Sequence, residues 1–294
     1  MWFLFTIISL MFWGGADLFY KLGSNPDDKY SHLKIVVLVG ITMGLHAFVY
    51  LLLSGINFYI INLVYYLPVS ILYISSMTLG YIGLRYIELS LCSPICNSSG
   101  AVAFLLCFIF LKADVSTLQI SAVAAISLGL IFLSVFEKNK NKLNQIYDND
   151  NKYRKGFTAI LFPLMYCIID GIGTFADAIT LERIMDEEQA LLSYEFTFLI
   201  AAIVALFFLF VVYKQKVAVS EQKERAVAAV FETTGQIFYI RAMSDNAVLA
   251  APIIACYSIV SVLLSRFFLR EKLTKVQYLI ILFIIISIGI LGIE

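Results

Sequence analysis

The chain has 294 residues, 61% of them hydrophobic and only 14% charged, with a mean hydropathy of +0.89. A water-soluble domain of this length needs far more polar surface than that. The formal net charge is zero, so nothing in the charge balance points to nucleic acid or to an oppositely charged macromolecule.

Hydropathy divides the chain into about ten apolar stretches, most of them roughly 18 to 26 residues long, enough to cross a hydrocarbon core at 1.5 Å per residue. In chain order they are Met1–Leu22, Leu33–Ser54, Ile61–Ile87, Leu91–Leu111, Leu118–Phe136, Gly156–Ala178, Glu188–Tyr213, Ala226–Met243, Val248–Leu269 and Val276–Gly292. The expected fold is all-α: a polytopic membrane protein of ten transmembrane helices. The first stretch lacks a basic leader and is long for a signal peptide, so it reads as a retained helix. Trp2 fits an interfacial aromatic belt. The loops are too short to hold a soluble catalytic domain.

Charge bias gives orientation. All but Lys112, Arg183 and Arg241 of the 21 Lys and Arg residues fall on the face that holds the loops after spans 1, 3, 5, 7 and 9. The positive-inside rule makes that face cytoplasmic, with the Lys138–Lys155 loop on it and both termini extracytoplasmic.

The two halves resemble each other. Pro94 opens the fourth span and Pro252 the ninth, and Pro94 to Gln119 is the same interval as Pro252 to Gln277. At that offset Tyr81 falls on Tyr239 and Ser76 on Thr234. Leu10-Met11-Phe12 matches Leu164-Met165-Tyr166 at a slightly different offset. Ser127-Leu128-Gly129 matches Ser287-Ile288-Gly289. Five spans per half is an odd number, so the second half enters the membrane inverted relative to the first, as in many secondary transporters. The division expected is 1–137 for the first five-helix repeat, 138–155 for a connecting loop and 156–294 for the second repeat.

These features resemble the drug/metabolite transporter superfamily, in particular its ten-helix EamA-like members, from end to end. The likeness rests on the 5+5 layout, the opening Phe12-Trp13-Gly14, the prolines Pro94 and Pro252, and the turn Phe268-Leu269-Arg270-Glu271-Lys272-Leu273-Thr274. The corresponding turn of the first half, Leu111-Lys112-Ala113-Asp114-Val115-Ser116, lacks the glutamate. The resemblance implies transport of a small solute and leaves the cargo open.

Charges inside spans are costly and mark candidate functional positions. Asp17, Asp170, Glu195 and Glu232 qualify as coupling or cation-binding acids, with no lysine deep in a span to pair with them. Counting from the span ends places Asp17 and Glu232 toward the inner face, and Asp170 and Glu195 toward the outer. The other reading of such acids is an interfacial or helix-capping role. Candidate substrate contacts are Asn97, in the polar run Pro94-Ile95-Cys96-Asn97-Ser98-Ser99-Gly100, and the aromatics Trp13, Tyr81, Tyr166, Tyr239 and Tyr257. Tyr73 is a further aromatic within the spans. Rings of this kind bind ammonium groups or simply fill the core. Asn97 contacts solute or joins helices by hydrogen bonds. Gly40 and Gly44 form a small-xxx-small packing face. Gly171 and Gly173 let the sixth span bend or pack closely.

Two histidines, His32 and His46, and five cysteines, all in or beside spans, form no zinc-ligand pattern. No cofactor is called for. No Gly-x-x-x-x-Gly-Lys-Ser/Thr, His-Glu-x-x-His or Gly-x-Ser-x-Gly is present, which argues against ATP coupling and against familiar hydrolase sites. The expected function is a secondary transporter for a small polar metabolite, an amino acid or organic amine foremost. Protons or an exchanged solute would drive it. A neutral-solute permease such as a sugar carrier, or an integral membrane enzyme, are the alternatives. Its partners are then the small-molecule substrate, protons and the lipid bilayer, with no nucleic acid.

Overall fold

The computed structural model describes residues 1–25, 27–111, 115–147, 159–215 and 222–293, with the side chains of 134–147 and 293 excluded. The expectations for Lys112 and Asp114 and for the Lys138–Lys155 loop lie outside the described residues or side chains. The described elements are all helical: α1 (Trp2–Gly23), α2 (Ser31–Ser54), α3 (Ile61–Leu84), α4 (Leu89–Asn97), α5 (Ser99–Leu111), α6 (Thr117–Tyr147), α7 (Leu161–Arg183), α8 (Glu187–Phe207), α9 (Lys223–Ile254), α10 (Tyr257–Leu264) and α11 (Lys275–Ile293). Widened π turns at Phe208–Val212 and Ser265–Leu269 end the spans that α8 and α10 carry.

Eight described helices are long and apolar enough to cross a membrane, and Thr117–Leu133 adds a shorter apolar one. One of the eight, Lys223–Leu269, is 47 residues long. At 1.5 Å per residue that is about twice the hydrocarbon thickness. Its backbone leaves the helical region at Asn246, with φ −160 and ψ 77. The Asn246 side chain there accepts from the Leu249 N–H at 3.3 Å, a new N-cap in mid-run. Read as two crossings meeting at Asn246, this run accommodates the ten spans of the hydropathy pattern.

Among the packing pairs that join the halves are α1 with α9, α2 with α8, α3 with α7, α4 with α10 and α6 with α11. Counted by position within each half, this pairing is unchanged when the halves are exchanged. Close approach depends on small residues, as their spacing predicts. A Cβ at Gly40 would lie 2.1 Å from the Phe198 carbonyl oxygen, a backbone atom that cannot step aside. We expect Gly40→Val to cost several kcal/mol by overpacking the α2–α8 contact. Gly289→Ala, with nothing within 4 Å of the added carbon, serves as the silent control in the same thermal-unfolding experiment. Gly171 likewise packs, against Val102 and the Ser99 carbonyl, and α7 runs through it as one helix.

The repeated motifs have a structural cause. Ser116 and Gln119 cap each other's backbone N–H groups at 3.1 and 2.9 Å, and Thr274 and Gln277 do the same at 3.3 and 2.6 Å. Both are reciprocal capping boxes opening the last helix of a half. The family-like turn before the second box is built around Arg270, whose φ of 58 stops the helix. Glu271 then reaches back to α4, where its two carboxylate oxygens accept from the Leu89 and Ser90 N–H groups at 3.1 and 2.9 Å. The equivalent helix start in the second half is capped by its own Asn246. We expect Glu271→Ala to lower stability by about 1 to 2 kcal/mol, as for loss of an N-cap, while Asn246→Asp in the same assay leaves it nearly unchanged.

Two sets of loops mark the ends of the bundle. At one end Lys21 donates to the Leu84 and Ile87 carbonyls, 2.6 Å each. Arg85 donates to the Lys29 carbonyl at 2.8 Å, and Arg225 Nε to the Gly23 carbonyl at 2.8 Å. This basic end gathers the loops that follow α1, α3 and the Ser265–Leu269 turn. At the other end Gln189 bonds to Asn62 and to the backbone at Asn57 and Tyr59.

Candidate functional site

Two helices break at equivalent places near the middle of the bundle. The fourth span is interrupted at Ser98, between α4 and α5, and the ninth at Ala255 and Cys256, between α9 and α10. One turn before each break stands a proline, which cannot donate to the helix ladder. Ser98 Oγ and Cys256 Sγ donate back to the Pro94 and Pro252 carbonyls at 2.9 and 3.4 Å. Ser98, Ala255 and Cys256 keep right-handed helical φ/ψ, so each interruption is a proline kink rather than an unwound segment.

A cavity of about 890 Å³, counting the solvent space it opens into, lies there. Residues from α1, α3, α4, α5, α7, α8, α9 and α10 line it, so both halves contribute. All six aromatic and amide residues singled out from the sequence line it: Trp13, Tyr81, Asn97, Tyr166, Tyr239 and Tyr257. Three of the four acids do so as well: Asp17, Asp170 and Glu232.

Each aspartate is held by two serine hydroxyls from different helices. Asp17 Oδ2 accepts from Ser93 at 2.5 Å and from Ser261 at 2.8 Å. Asp170 accepts from Ser99 at 2.8 Å and Ser76 at 3.3 Å. The hydroxyls fix the carboxyl groups without neutralising them, and both aspartates stay partly exposed to the cavity. Glu232 is buried and accepts from Tyr20 Oη at 3.3 Å. None of the described lining residues is Lys, Arg or His. The helix bounds put Asp170 about 20 Å from the Arg183 end of α7, close to mid-bundle and deeper than counting from the sequence-read span suggested.

Glu195 is not brought to this group. Its two oxygens meet His46 Nδ1 at 2.8 and 2.9 Å, across the α2–α8 contact and away from the cavity lining. Three acids share one cavity, and the fourth has a histidine partner that lysine-counting overlooked.

The aromatic wall is ordered by contact. Trp13 lies 4.9 Å from the Tyr239 ring and 5.7 Å from Tyr257, centroid to centroid. It rests on Gly235, where a Cβ would come within 2.3 Å of the indole. Its Nε1 donates to the Glu232 carbonyl at 3.2 Å, so the indole also locates the acid. Tyr20 packs on Tyr81 at 4.7 Å. Asn97 spends its amide hydrogens on the Ser93 carbonyl and hydroxyl, and the same Ser93 hydroxyl donates to Asp17. Two buried lining atoms, Tyr81 Oη and Gln236 Nε2, have no hydrogen-bond partner. A buried polar group without a partner costs roughly 1 to 3 kcal/mol, which a bound solute or water would relieve.

Sequence reasoning missed Tyr20, Tyr194 and Gln236, and the serines Ser93 and Ser261. Serine in an apolar span carries little signal by itself. The hydroxyl becomes meaningful only when a carboxylate on another helix lies opposite.

Residues 157–293, the second half of the chain, match the model of the EamA-like transporter family, part of the drug/metabolite transporter superfamily. The resemblance drawn from Pro252 and the Phe268–Thr274 turn holds. A solved crystal structure 11% identical in sequence superposes with a TM-score of 0.66, covering 97% of this chain and 98% of that one. At that identity the likeness shows the fold alone. No curated protein matches the chain in sequence.

Proposed function

We propose that the chain, whose second half matches the EamA-like transporter family and whose helices are long and apolar enough to cross a membrane, is a multi-pass transporter of a small organic cation. The observation that carries this reading is the cavity itself: Asp17, Asp170 and Glu232 among aromatic faces, with no basic residue among the described lining. An ammonium group gains from both the carboxylates and the π faces. A free amino acid also brings a carboxylate, which these acids repel, so an amine without an acid group is favoured over an amino acid.

In this reading 1–137 and 156–294 are inverted repeats that rock about the cavity in alternating access. Protons or an exchanged cation supply the coupling through the same acids. The basic end is cytoplasmic and both termini lie outside. A cysteine at exposed Asn57 is then labelled by an impermeant thiol reagent on intact cells, and one at exposed Lys29 only after permeabilisation. The reverse pattern inverts the topology.

A thermal-unfolding screen of the purified protein tests the solute class. A ligand present at 100 times its Kd stabilises by about 2.7 kcal/mol. We expect shifts with a primary amine, a diamine or a quaternary ammonium ion, and none with sugars or neutral amino acids. A sugar-only shift would establish a neutral-solute permease instead.

A further inference from the structure

Asp177 is two turns beyond Asp170 on α7 and is absent from the cavity lining. It is fully buried. Its Oδ1 accepts from Tyr66 Oη at 2.7 Å, and its Oδ2 is buried with no hydrogen-bond partner. No ion pair among the described residues involves it. Between it and the cavity stand Tyr73 and Tyr239, whose hydroxyls bond to each other at 2.6 Å. Tyr73 also donates to Thr174, one turn before Asp177 on α7, at 3.2 Å.

The groups around it are few. From α3 come Tyr66 and Tyr73, from α9 Tyr239, and from α8 Tyr194, edge-on to Tyr66 and Tyr73 at 6.4 and 5.8 Å. On its own helix Asp170 lies seven residues back, and Glu182 five residues on is exposed and paired with Arg183 at 3.7 Å. A carboxylate anion here would leave one oxygen unsatisfied among phenols, buried about 9 Å from the Arg183 end of α7, with no ion-pair partner among the described residues. A neutral carboxyl needs no counter-charge, and its Oδ2–H points to the tyrosine pair as acceptor on a small rotation.

We propose that Asp177 is a second proton-binding site, placed behind the Tyr73–Tyr239 hydroxyl pair on the Arg183 side of the cavity. In the arrangement seen it carries its proton on Oδ2. Parting of the pair exposes the carboxyl to the cavity, and the proton leaves to water or to a cavity acid, with no other bond made or broken. The inference adds a site to the transporter reading but does not depend on the solute being a cation.

The test needs no substrate. Infrared difference spectra of the full-length protein in lipid nanodiscs, at neutral pH and without sodium, report protonated carboxyl groups by their C=O stretch. We expect a band that is lost in Asp177→Asn and displaced in Tyr66→Phe, which removes one hydrogen bond and little volume. If Asp177→Asn fails to fold, Tyr66→Phe decides alone. A spectrum unchanged by either variant means an ionised Asp177 and overturns the proposal. So does a band that vanishes on adding sodium chloride but not choline chloride, which would mark a sodium site instead.

Discussion

Asp170→Asn and Glu232→Gln should each weaken amine binding by about 100-fold or more, with the protein still folded. Truncating one partner of a buried charge contact costs about 2 to 5 kcal/mol, and both substitutions keep the size and shape of the side chain. Ser99 can still donate to the amide oxygen that Asp170→Asn leaves, while Ser76, which meets the other carboxylate oxygen and also donates to the Tyr73 carbonyl, can accept from the new NH2. Tyr20 can donate to the oxygen left by Glu232→Gln. The cavity walls therefore stand and only the charge is lost. Binding measured by isothermal titration with a diamine reads the effect directly. If the same acids carry the coupling proton, each variant also flattens the pH dependence of transport between about pH 5 and 8. Glu195→Gln is the informative comparison. It removes the charge facing His46 at 2.8 Å, so it should alter stability and leave amine affinity within a factor of about two. Wild-type affinity in both Asp170→Asn and Glu232→Gln would end the organic-cation reading.

The division between what was legible and what was not follows the range of the interactions. Spans are written in local hydropathy and local caps, and the equal Pro94–Gln119 and Pro252–Gln277 intervals each run from a proline kink to a capping box. The joined 47-residue run was readable as two spans because Asn246 interrupts the apolar pattern at the point where the backbone breaks. The cavity residues were found by type: an acid, an amide or a ring in an apolar span has few cheap explanations. Grouping them required knowing which helices meet. Glu195 looked equivalent to Asp170 by depth, yet its helix presents it to α2 and His46. Asp177 passed unnoticed because it stands at the end of the span read from hydropathy, whereas α7 continues to Arg183 and buries it. The glutamate of the Phe268–Thr274 turn was recognised as a motif without a reason. Its reason is the start of α4, far away in sequence.

Neutralising Asp28 should loosen the basic end of the bundle, and the loss should depend on pH in a definite direction. Asp28 Oδ2 accepts from Lys34 at 2.7 Å and from Arg225 at 3.4 Å, and Oδ1 accepts from the Tyr30 N–H at 3.0 Å. Arg225, itself buried, continues to the Gly23 carbonyl and to Gln222. The loop after α1 is thereby laced to the start of α9, the helix that carries Glu232. Burial alone would raise the Asp28 pKa. The hydrogen bonds from Lys34 and the Tyr30 backbone, with the charges of Lys34 and Arg225, outweigh it and hold the carboxyl below its ordinary 3.8. A folded-state pKa below the unfolded one, about 3.9, means the stabilisation is complete above that value. It is lost as pH falls through the lower folded pKa. At neutral pH Asp28→Asn should therefore cost about 1 to 3 kcal/mol, since Lys34 and Arg225 lose their shared anion and keep only neutral acceptors. Thermal unfolding at pH 7 should show that deficit, and it should shrink below about pH 4 as the wild-type carboxyl protonates too. A deficit that stays constant from pH 7 down to about 3 would remove the charge from the account and leave a packing defect. The same variant, if the lacing closes this end, should make a cysteine at buried Leu84, on the cavity wall just inside it, react faster with a thiol reagent supplied from the basic side.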